Sequence, residues 1–408
     1  MYISKKSKNT KKPCLDLSSL QKKMDMKIGV TFLQSRLNRY KEKYSSFWKV
    51  AIHLAWGSIL SIKTKFSSSK KKKSDPLEIA FLFAGGMGDL LFSLNLITAF
   101  YEKFCKDSAC NISICFHNEK LLKSFAPSFV KKFISEKEYA RKYFDLKIWC
   151  NRTPIVQYAN FFSLPSDILI YVEKLLDLEE KNKFILTIPI RDLITWNILS
   201  PCANKRWSHV DLIDEFSLKE DWILKINLQQ EIETLNKFGL MSKKYITINR
   251  EVGDSETLES NKLWPVKHYQ TLVEKLKKKY PLYQTLEVGT GKGDRIGNTH
   301  QNLAGKTTLE EIKVIIKHAA LHIDGEGGLV HLRHALKAGP SCVVFGPTSP
   351  DVLGYSENIN LCSEACPIYC EFYSENWQKQ CIKNNHVCMK TISPEFVLEK
   401  IEKSGILG

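Results

Sequence analysis

The sequence predicts an α/β protein: two doubly wound, Rossmann-like domains preceded by a helical, basic N-terminal extension. From Leu77 onward, short apolar runs typical of buried strands alternate with amphipathic segments typical of helices. The alternation restarts at Tyr245, and strands that alternate with helices pair into parallel sheets. We therefore predict an extension at residues 1–75 and domains at residues 76–232 and 233–408.

The first predicted domain opens with the strand LEIAFLFA, followed by a glycine turn and a helix. NISICFH predicts a second strand, and KNKFILTIPI is compatible with another. The segment from Trp222 to Gly239 is either helical or a linker.

The second predicted domain contains the strands YITINR, YQTLEVG, ALHID and SCVVFGP. Between them lie three predicted helices, the first of which is stopped by Pro281. Thr307 or Thr308 can cap the second helix, and the third is predicted to end at Gly339.

The formal net charge of +16 would attract nucleic acid, anionic lipid and phosphorylated substrates. Much of this positive charge comes from lysine runs between Met1 and Lys73. It can therefore belong to an N-terminal tail rather than to a binding site. Within this tail, Phe47–Ile62 is apolar but short for a bilayer span. It suits an interfacial helix on an anionic membrane, or equally a helix packed on the protein's own surface.

The chain has 12 cysteines and no N-terminal stretch with the pattern of a secretory signal, so we expect a cytoplasmic protein with reduced thiols. Five cysteines cluster between Cys362 and Cys388. Four of them suit a tetrahedral Zn or Fe site, with Cys362 and His386 as alternative ligands. The predicted ligands are Cys366, Cys370, Cys381 and Cys388. The simpler interpretation is a set of free cysteines.

The turn GGMGD contains Gly85, Gly86, Gly88 and Asp89 between a strand and a helix. It lacks the last glycine of a dinucleotide fingerprint, and no acidic residue ends a second strand about 20 positions on. A carboxylate here would repel a diphosphate but suits a general base that faces a hydroxyl. The alternatives are a structural turn and a helix-start carboxylate that interacts with the helix dipole.

A second glycine turn, with Gly325, Gly327 and Gly328, also joins a strand to a helix. Its N–H groups and the helix dipole predict an anion site, where His331 could donate to a phosphate oxygen. The alternative for His331 is a histidine packed between helix and sheet.

The segment Asn249–Pro265, between a predicted strand and a predicted helix, offers Arg250 and Lys262 at the carboxyl edge of the sheet, where open α/β folds bind ligands. Both residue types pair with phosphate, Arg as a bidentate fork and Lys as a point charge. The alternative is charge that faces solvent.

Taken in order, these segments resemble glycosyltransferase family 9, the bacterial heptosyltransferases, over residues 77–400. The resemblance rests on GGMGD, KLWP, GGLVHL and FGPTSPDVLGY (Phe345–Tyr355). The cysteine-rich tail is similar to the autotransporter heptosyltransferases, which are reported as metal-bound assemblies. The chain departs from the family in its extension, and in having DGEGG in place of a shorter Asp-x-Gly turn.

The resemblance implies a GT-B fold, with the acceptor on the first domain and a nucleotide-sugar on the second, and inverting transfer without a catalytic metal. Asp89 matches the family's base, and Gly85, Gly86 and Gly88 let the acceptor approach it. The positions that match the family's donor loops are Asn249, Arg250, Lys262, Thr307, Asp324, Gly328, Leu329, Val330 and His331. The two extra residues before Gly328 loosen the match of Asp324.

The function that the resemblance implies is transfer of heptose from ADP-heptose to a surface glycoconjugate, with the lipopolysaccharide inner core as first choice. Transfer to Ser or Thr of a surface protein is the alternative, favoured by the cysteine cluster. Membrane attachment would then be peripheral, on the inner face, and oligomers are compatible with the family. A nucleic-acid-binding protein is a third hypothesis from the charge, although the chain has no recognised nucleic-acid motif.

Overall fold

The computed structural model describes residues 75–83, 85–151, 153–161, 163–181, 222–252, 260–366, 369–370, 377–379, 381 and 383–408. These residues belong to one compact unit, Gly57–Gly408. The apolar segment Phe47–Ile62 and, apart from its first residue, the candidate strand KNKFILTIPI lie outside the described residues.

The first sheet has five strands in the order β3-β2-β1-β4-β5. They are β1 (Leu77–Phe83), β2 (Cys110–Cys115), β3 (Val130–Ile134), β4 (Leu146–Asn151) and β5 (Thr153–Ala159). Its helices are α1 (Met87–Phe104), α2 (Glu119–Phe125), α3 (Glu136–Arg141) and α4 (Ser166–Lys181). The strands pair in parallel except β5, which forms an antiparallel edge with β4.

The second sheet has six parallel strands in the order β11-β10-β9-β6-β7-β8. They are β6 (Tyr245–Ile248), β7 (Gln284–Glu287), β8 (Gln301–Asn302), β9 (Leu321–Gly325), β10 (Ser341–Phe345) and β11 (Ile359–Cys362). Its helices are α5 (Leu228–Phe238), α6 (Val266–Lys279), α7 (Leu309–His318), α8 (Gly328–Ala335), α9 (Pro350–Leu353), α10 (Val387–Lys390) and α11 (Pro394–Ser404).

One hydrophobic core joins the helices of the two sheets. It includes Phe81 on β1 and Leu94 on α1, together with Ile315 on α7 and Leu332 on α8. All four side chains are buried, and burial of such a side chain stabilises the fold by ~1.5–3 kcal/mol. The seam between the sheets is therefore a packed interior, in which the first turns of α1 and α8 are held in fixed positions.

A polar contact also crosses this seam. The Lys313 ammonium on α7 is nearly fully buried and donates to the carbonyl oxygen of Ser124, at the end of α2, over 2.6 Å. It pairs with Glu310 at 2.9 Å and lies 4.8 Å from the centroid of the Phe125 ring. A cation at the C-terminus of a helix, here α2, is favourable. Lys313 therefore stabilises the contact between the two sheets at a place away from the glycine turns.

The predicted strands YITINR, YQTLEVG, ALHID and SCVVFGP are confirmed as β6, β7, β9 and β10. Thr308, rather than Thr307, caps α7: its hydroxyl accepts from the N–H of Glu311, whose carboxylate accepts from the N–H of Thr308 in return. Trp222–Gly239 contains helix α5. In the described ranges, no helix is both long and apolar enough to cross a bilayer.

The prediction that α8 continues to Gly339 is wrong, because the helix ends at Ala335. Lys337 takes a left-handed conformation with φ of 48°. The guanidinium of Arg333, fully buried, then donates to the carbonyls of Gly339 at 3.1 Å and Pro340 at 2.9 Å. The N–H groups of Ala338 and Lys337 bond to the carbonyls of Arg333 and His334, and this left-handed cap ends the helix.

Candidate active site

The two glycine turns face each other across the seam. A Cβ atom added to Gly88 would lie 2.5 Å from Cδ2 of His331, and one added to Gly328 would lie 2.7 Å from Cε of Met87. Both distances are shorter than van der Waals contact, so a side chain at Gly88 would displace the His331 ring and one at Gly328 would displace the end of the flexible Met87 side chain. Glycine at both positions lets α1 and α8 approach this closely. The structure thereby brings together two motifs that the sequence predicted in separate domains.

Asp89 lies in the first turn of α1, half-buried. Its Oδ2 accepts a hydrogen bond from the N–H of Gly86 at 2.9 Å. Gly85 has a φ of +96°, and a side chain there would overlap the Asp89 carboxylate. Asp89 therefore has the helix-start role that the sequence suggested. The same hydrogen bond holds its carboxylate beside the glycine turn that faces His331.

Lys262 forms an ion pair with Glu326, and the exposed fractions of the two side chains are 13% and 9%. Nε2 of His331 lies 3.7 Å from the other carboxylate oxygen of Glu326. Burial would raise the pKa of Glu326, but Lys262 and His331 outweigh it and hold the pKa well below its usual range. The alternative of a solvent-facing Lys262 is therefore wrong, and a buried anion links it to His331.

Glu326 was not among the residues that sequence reasoning singled out. It lies inside the turn DGEGG, which reads as an insertion relative to the family. The sequence feature that could have indicated Glu326 is an acidic residue between glycines at the start of a helix. Because a glycine turn can change its path freely, the sequence alone does not decide which of its two acids reaches the lysine.

Asp324, the predicted match, is fully buried at the end of β9. Its carboxylate accepts from Nδ2 of Asn249 at 2.9 Å and lies 3.2 Å from Nε2 of His322. Burial raises the pKa of Asp324 despite these partners. Asp324 and Asn249 thus fix the ends of β9 and β6, and Glu326, two residues further on, reaches Lys262.

Arg250 is also largely buried, with a side-chain exposure of 10%, and pairs with Asp294 at 3.2 Å. Thr307 is half-buried, immediately before the cap of α7. The side chains of Leu329 and Val330 are buried, so any contact with a ligand would come from their main chain. The structure thus brings Gly88 and Lys262 together with His331, the first by the approach of the two glycine turns and the second through Glu326.

His331 is buried and makes a second contact that sequence reasoning did not predict. Its Nδ1 lies 2.7 Å from the hydroxyl oxygen of Tyr355, and the Tyr355 ring stacks on His334 with centroids 3.6 Å apart. A small cavity opens beside it, between α1 and α8. Its lining residues are Leu91, Phe92, Asn95, Trp222, His331, His334, Ala335 and Tyr355.

The four predicted metal ligands are all buried, and their thiols are reduced. Burial, reinforced by the negative charge of the other three thiols, raises the pKa of Cys388 to about 11. Burial acts in the same direction on Cys381, but N–H groups of residues 383–386 directed at its sulfur lower its pKa below the ordinary value. Within the described ranges, no group of three or more His, Cys, Asp or Glu side chains stands close enough to hold a metal ion.

The cysteine-rich segment is anchored to the Lys262 loop. Asn261 donates from Nδ2 to the carbonyl of Trp377 at 2.8 Å and from its N–H to the carbonyl of Gln378 at 2.7 Å. The Lys262 ammonium lies 5.6 Å from the centroid of the Trp377 ring. Any change in this segment would therefore be transmitted to Lys262.

The two sheets, whose helices pack against each other in one shared core, have the architecture of the GT-B fold. The structure is similar to that of E. coli ADP-heptose lps heptosyltransferase II, with a TM-score of 0.50 and 17% identity over 81% of this chain and 98% of that chain. It is also similar to that of the dodecameric iron-containing heptosyltransferase TibC in complex with ADP-D-beta-D-heptose. The TM-score is 0.53, with 13% identity over 83% of this chain and 79% of that chain. These likenesses confirm the predicted fold.

Residues 210–382 match the sequence model for "Glycosyltransferase family 9 (heptosyltransferase)", the family whose motifs the sequence resembles. Lipopolysaccharide heptosyltransferase 2 of Escherichia coli is 29% identical over 142 residues, or 31% of this chain and 38% of that protein. Lipooligosaccharide heptosyltransferase 2 of Campylobacter jejuni is 30% identical over 103 residues, or 25% of this chain and 31% of that protein. The matched segments thus span well under half of these curated relatives.

Proposed function

We propose that the protein is an inverting glycosyltransferase that moves heptose from ADP-heptose to the inner core of lipopolysaccharide. The observation that best supports this proposal is the close approach of Gly88, the residue before Asp89, to His331, which itself neighbours the Lys262–Glu326 ion pair. The curated relatives, named as lipopolysaccharide and lipooligosaccharide heptosyltransferases, support the choice of sugar and acceptor.

On the acceptor side, Asp89 would take the proton from the acceptor hydroxyl as its oxygen attacks the anomeric carbon. A bond forms between that oxygen and the anomeric carbon, and the bond from the anomeric carbon to the ADP oxygen breaks. The carboxylate suits this task because its direction is fixed by the N–H of Gly86. Gly85, Gly86 and Gly88 carry no side chain that would block the acceptor.

On the donor side, Lys262, Arg250 and His331 would hold the diphosphate and stabilise the charge that ADP gains as it leaves. The N-terminus of α8, at Gly328 to Val330, adds main-chain N–H groups. Glu326 holds the Lys262 ammonium in place by their ion pair. Asn249, Thr307 and Asp324 complete the donor side as supports of the surrounding loops.

The proposal is tested by incubating the full chain with ADP-heptose and other nucleotide-sugars, with lipopolysaccharide cores that lack the outer sugars and with protein acceptors. The product is identified by mass. A mass gain of one heptose on the lipid core, with release of ADP, is expected. No transfer to any acceptor from any nucleotide-sugar would contradict it.

Heptosylation of Ser or Thr on a surface protein is the second candidate. It is favoured by the cysteine-rich segment and its anchorage to the Lys262 loop. The protein arm of the same assay decides between the two candidates. Nucleic-acid binding is separated from both by salt-dependent DNA binding with and without residues 1–75, since the charge is concentrated there.

We further propose that Cys366, Cys370, Cys381 and Cys388 bind one structural metal ion, Zn or Fe. The donor set suits either metal, because both prefer thiolate sulfur and the N–H groups around Cys381 already favour a thiolate. In the described residues these sulfurs do not stand close enough to hold an ion, so binding would draw them together. Such an ion would cross-link the segment that packs on Asn261 and Lys262. Its role would be in folding rather than in the reaction.

Cys381→Ser is expected to lower metal content from about one ion per chain to near zero, and to lower the melting temperature, because a structural metal contributes folding free energy. The measurement is elemental analysis and calorimetry of protein purified without metal-affinity resin. Cys342→Ser, at a buried cysteine in β10, is the matched control and should keep its metal. Metal-free wild type that is fully stable and active would contradict the proposal.

We also propose that the protein is cytoplasmic and attaches peripherally to the inner face of the membrane through residues 1–75. The apolar segment Phe47–Ile62 and its flanking lysines motivate this, since each lysine near an anionic surface adds about 1 kcal/mol. The full chain is expected to sediment with anionic liposomes and the chain without residues 1–75 to stay in solution. Equal behaviour of both forms would contradict attachment.

The division of the chain into residues 1–75, 76–232 and 233–408 remains our proposal for the domains, with acceptor and donor on the second and third. The boundary between the second and third falls inside α5. An oligomer is compatible with the proposal, and sedimentation would measure it.

A further inference from the structure

We propose that Tyr355 is a positioning residue, which holds the His331 ring so that an N–H at Nε2 is kept beside the Glu326–Lys262 pair, where the donor diphosphate is proposed to bind. This inference rests on the proposed function and deepens it. Tyr355 belongs to the motif FGPTSPDVLGY, in which the sequence offered no role for any single residue.

Each of the two ring nitrogens of His331 faces a different neighbouring side chain. On one side, Nδ1 lies 2.7 Å from the Tyr355 hydroxyl oxygen. On the other, Nε2 lies 3.7 Å from a carboxylate oxygen of Glu326, and the same edge of the ring faces Gly88. His331 and Tyr355 are both 7% exposed, so neither ring nitrogen can readily exchange its partner for bulk water.

The carboxylate decides which nitrogen carries a proton. Glu326 is held ionised by Lys262 and His331, and an ionised carboxylate only accepts hydrogen bonds. A lone pair on Nε2 would face this anion unfavourably, so Nε2 carries the proton. The Tyr355 hydroxyl can then donate to Nδ1 of a neutral ring or accept from Nδ1 of a charged one. In both states the N–H at Nε2 is kept.

Tyr355 is itself held from two directions. Its ring stacks on His334, with an interplanar angle of 14°, and His334 pairs with Glu357. Its carbonyl accepts from Nδ2 of Asn360 at 2.9 Å. The hydroxyl is therefore presented to Nδ1 by a fixed ring. Such support is what a residue needs to orient another one.

The expected consequence concerns the leaving group. An N–H that faces the diphosphate binds it more strongly as its charge grows, which raises the rate as well as the affinity. Without the hydroxyl, Nδ1 is left without this partner, and the ring can turn or take the other tautomer. ADP binding and turnover should then both fall.

The test is Tyr355→Phe, which keeps the stacked ring and removes the hydroxyl. ADP affinity by calorimetry is expected to fall about 5- to 30-fold, and kcat to fall with it. In protein labelled with ¹⁵N-histidine, the His331 signals, assigned with His331→Ala, should move away from the Nε2–H pattern. In the His331→Ala background, Tyr355→Phe should have no further effect, because coupled residues are not additive.

Tyr245→Phe is the matched control. It removes a buried hydroxyl that donates to the carbonyl of Ile315 at 2.8 Å, away from the site, and should change neither ADP affinity nor the His331 signals. Unchanged His331 signals in Tyr355→Phe, or an equal loss of affinity in the His331→Ala background, would overturn the proposal. A wild type that binds no ADP would instead remove the proposed function and this donor role with it, while the ¹⁵N signals still decide whether Tyr355 sets the protonation of His331.

Discussion

Asp89→Asn is expected to lower the rate of sugar transfer by ~10²–10⁴ and to leave donor affinity nearly unchanged. An amide cannot take the proton of the acceptor hydroxyl, but its oxygen can still accept the hydrogen bond from the N–H of Gly86. The start of α1 should therefore be preserved. The measurements are turnover with ADP-heptose and a lipid core, and calorimetry with ADP.

A matched control is Asp167→Asn, at the first turn of α4, which removes a helix-start carboxylate outside the site. It should reproduce any loss of helix-dipole stabilisation without the loss of rate. Near-normal turnover of Asp89→Asn would remove Asp89 as the base. It would leave the carboxylate with only the capping role that the structure already displays.

Lys262→Ala is expected to have two separate effects. Loss of one charged hydrogen bond should weaken donor binding by about 1.5–3 kcal/mol. The same change leaves Glu326 buried without its cationic partner, and breaking a buried pair in this way costs about 3–5 kcal/mol of folding free energy. Calorimetry with ADP measures the first effect, and denaturant unfolding measures the second.

The double variant Lys262→Met with Glu326→Gln separates these effects, because neither residue is then charged. It should recover most of the stability but not the donor affinity. Lys275→Ala, which breaks an exposed pair with Glu395, is the control and should cost less than about 1 kcal/mol. Donor affinity that stays normal in Lys262→Ala would place the diphosphate elsewhere in the protein.

The second sheet could be predicted well because its strands are short apolar runs buried on both faces, separated by strongly amphipathic helices. In the first sheet, β3 reads VKKFI, and its two exposed lysines conceal the strand pattern. The alternation of apolar and polar residues alone did not distinguish β4 or β5 from a loop. Asn151 of β4 pairs with Thr153 of β5, and Pro154 within β5 is a signal that argues against a strand in the sequence.

In the site, the sequence indicated the residues at the ends of strands, because their place follows from the sheet. It did not indicate Glu326 or Tyr355. Whether Asp324 or Glu326 reaches Lys262 depends on the path of a glycine turn, and the contact of Tyr355 with His331 depends on how a loop after β10 folds back on α8. Both are set by tertiary packing rather than by local periodicity.

The close approach of Gly88 to His331 and of Gly328 to Met87 has an evolutionary consequence. Because the space between α1 and α8 is filled, a larger residue at position 88 requires a smaller or displaced one at position 331, and likewise for positions 328 and 87. These pairs should therefore covary among homologues, although each pair joins residues of different sheets. Lineages in which both glycines are replaced together should have a wider seam between α1 and α8.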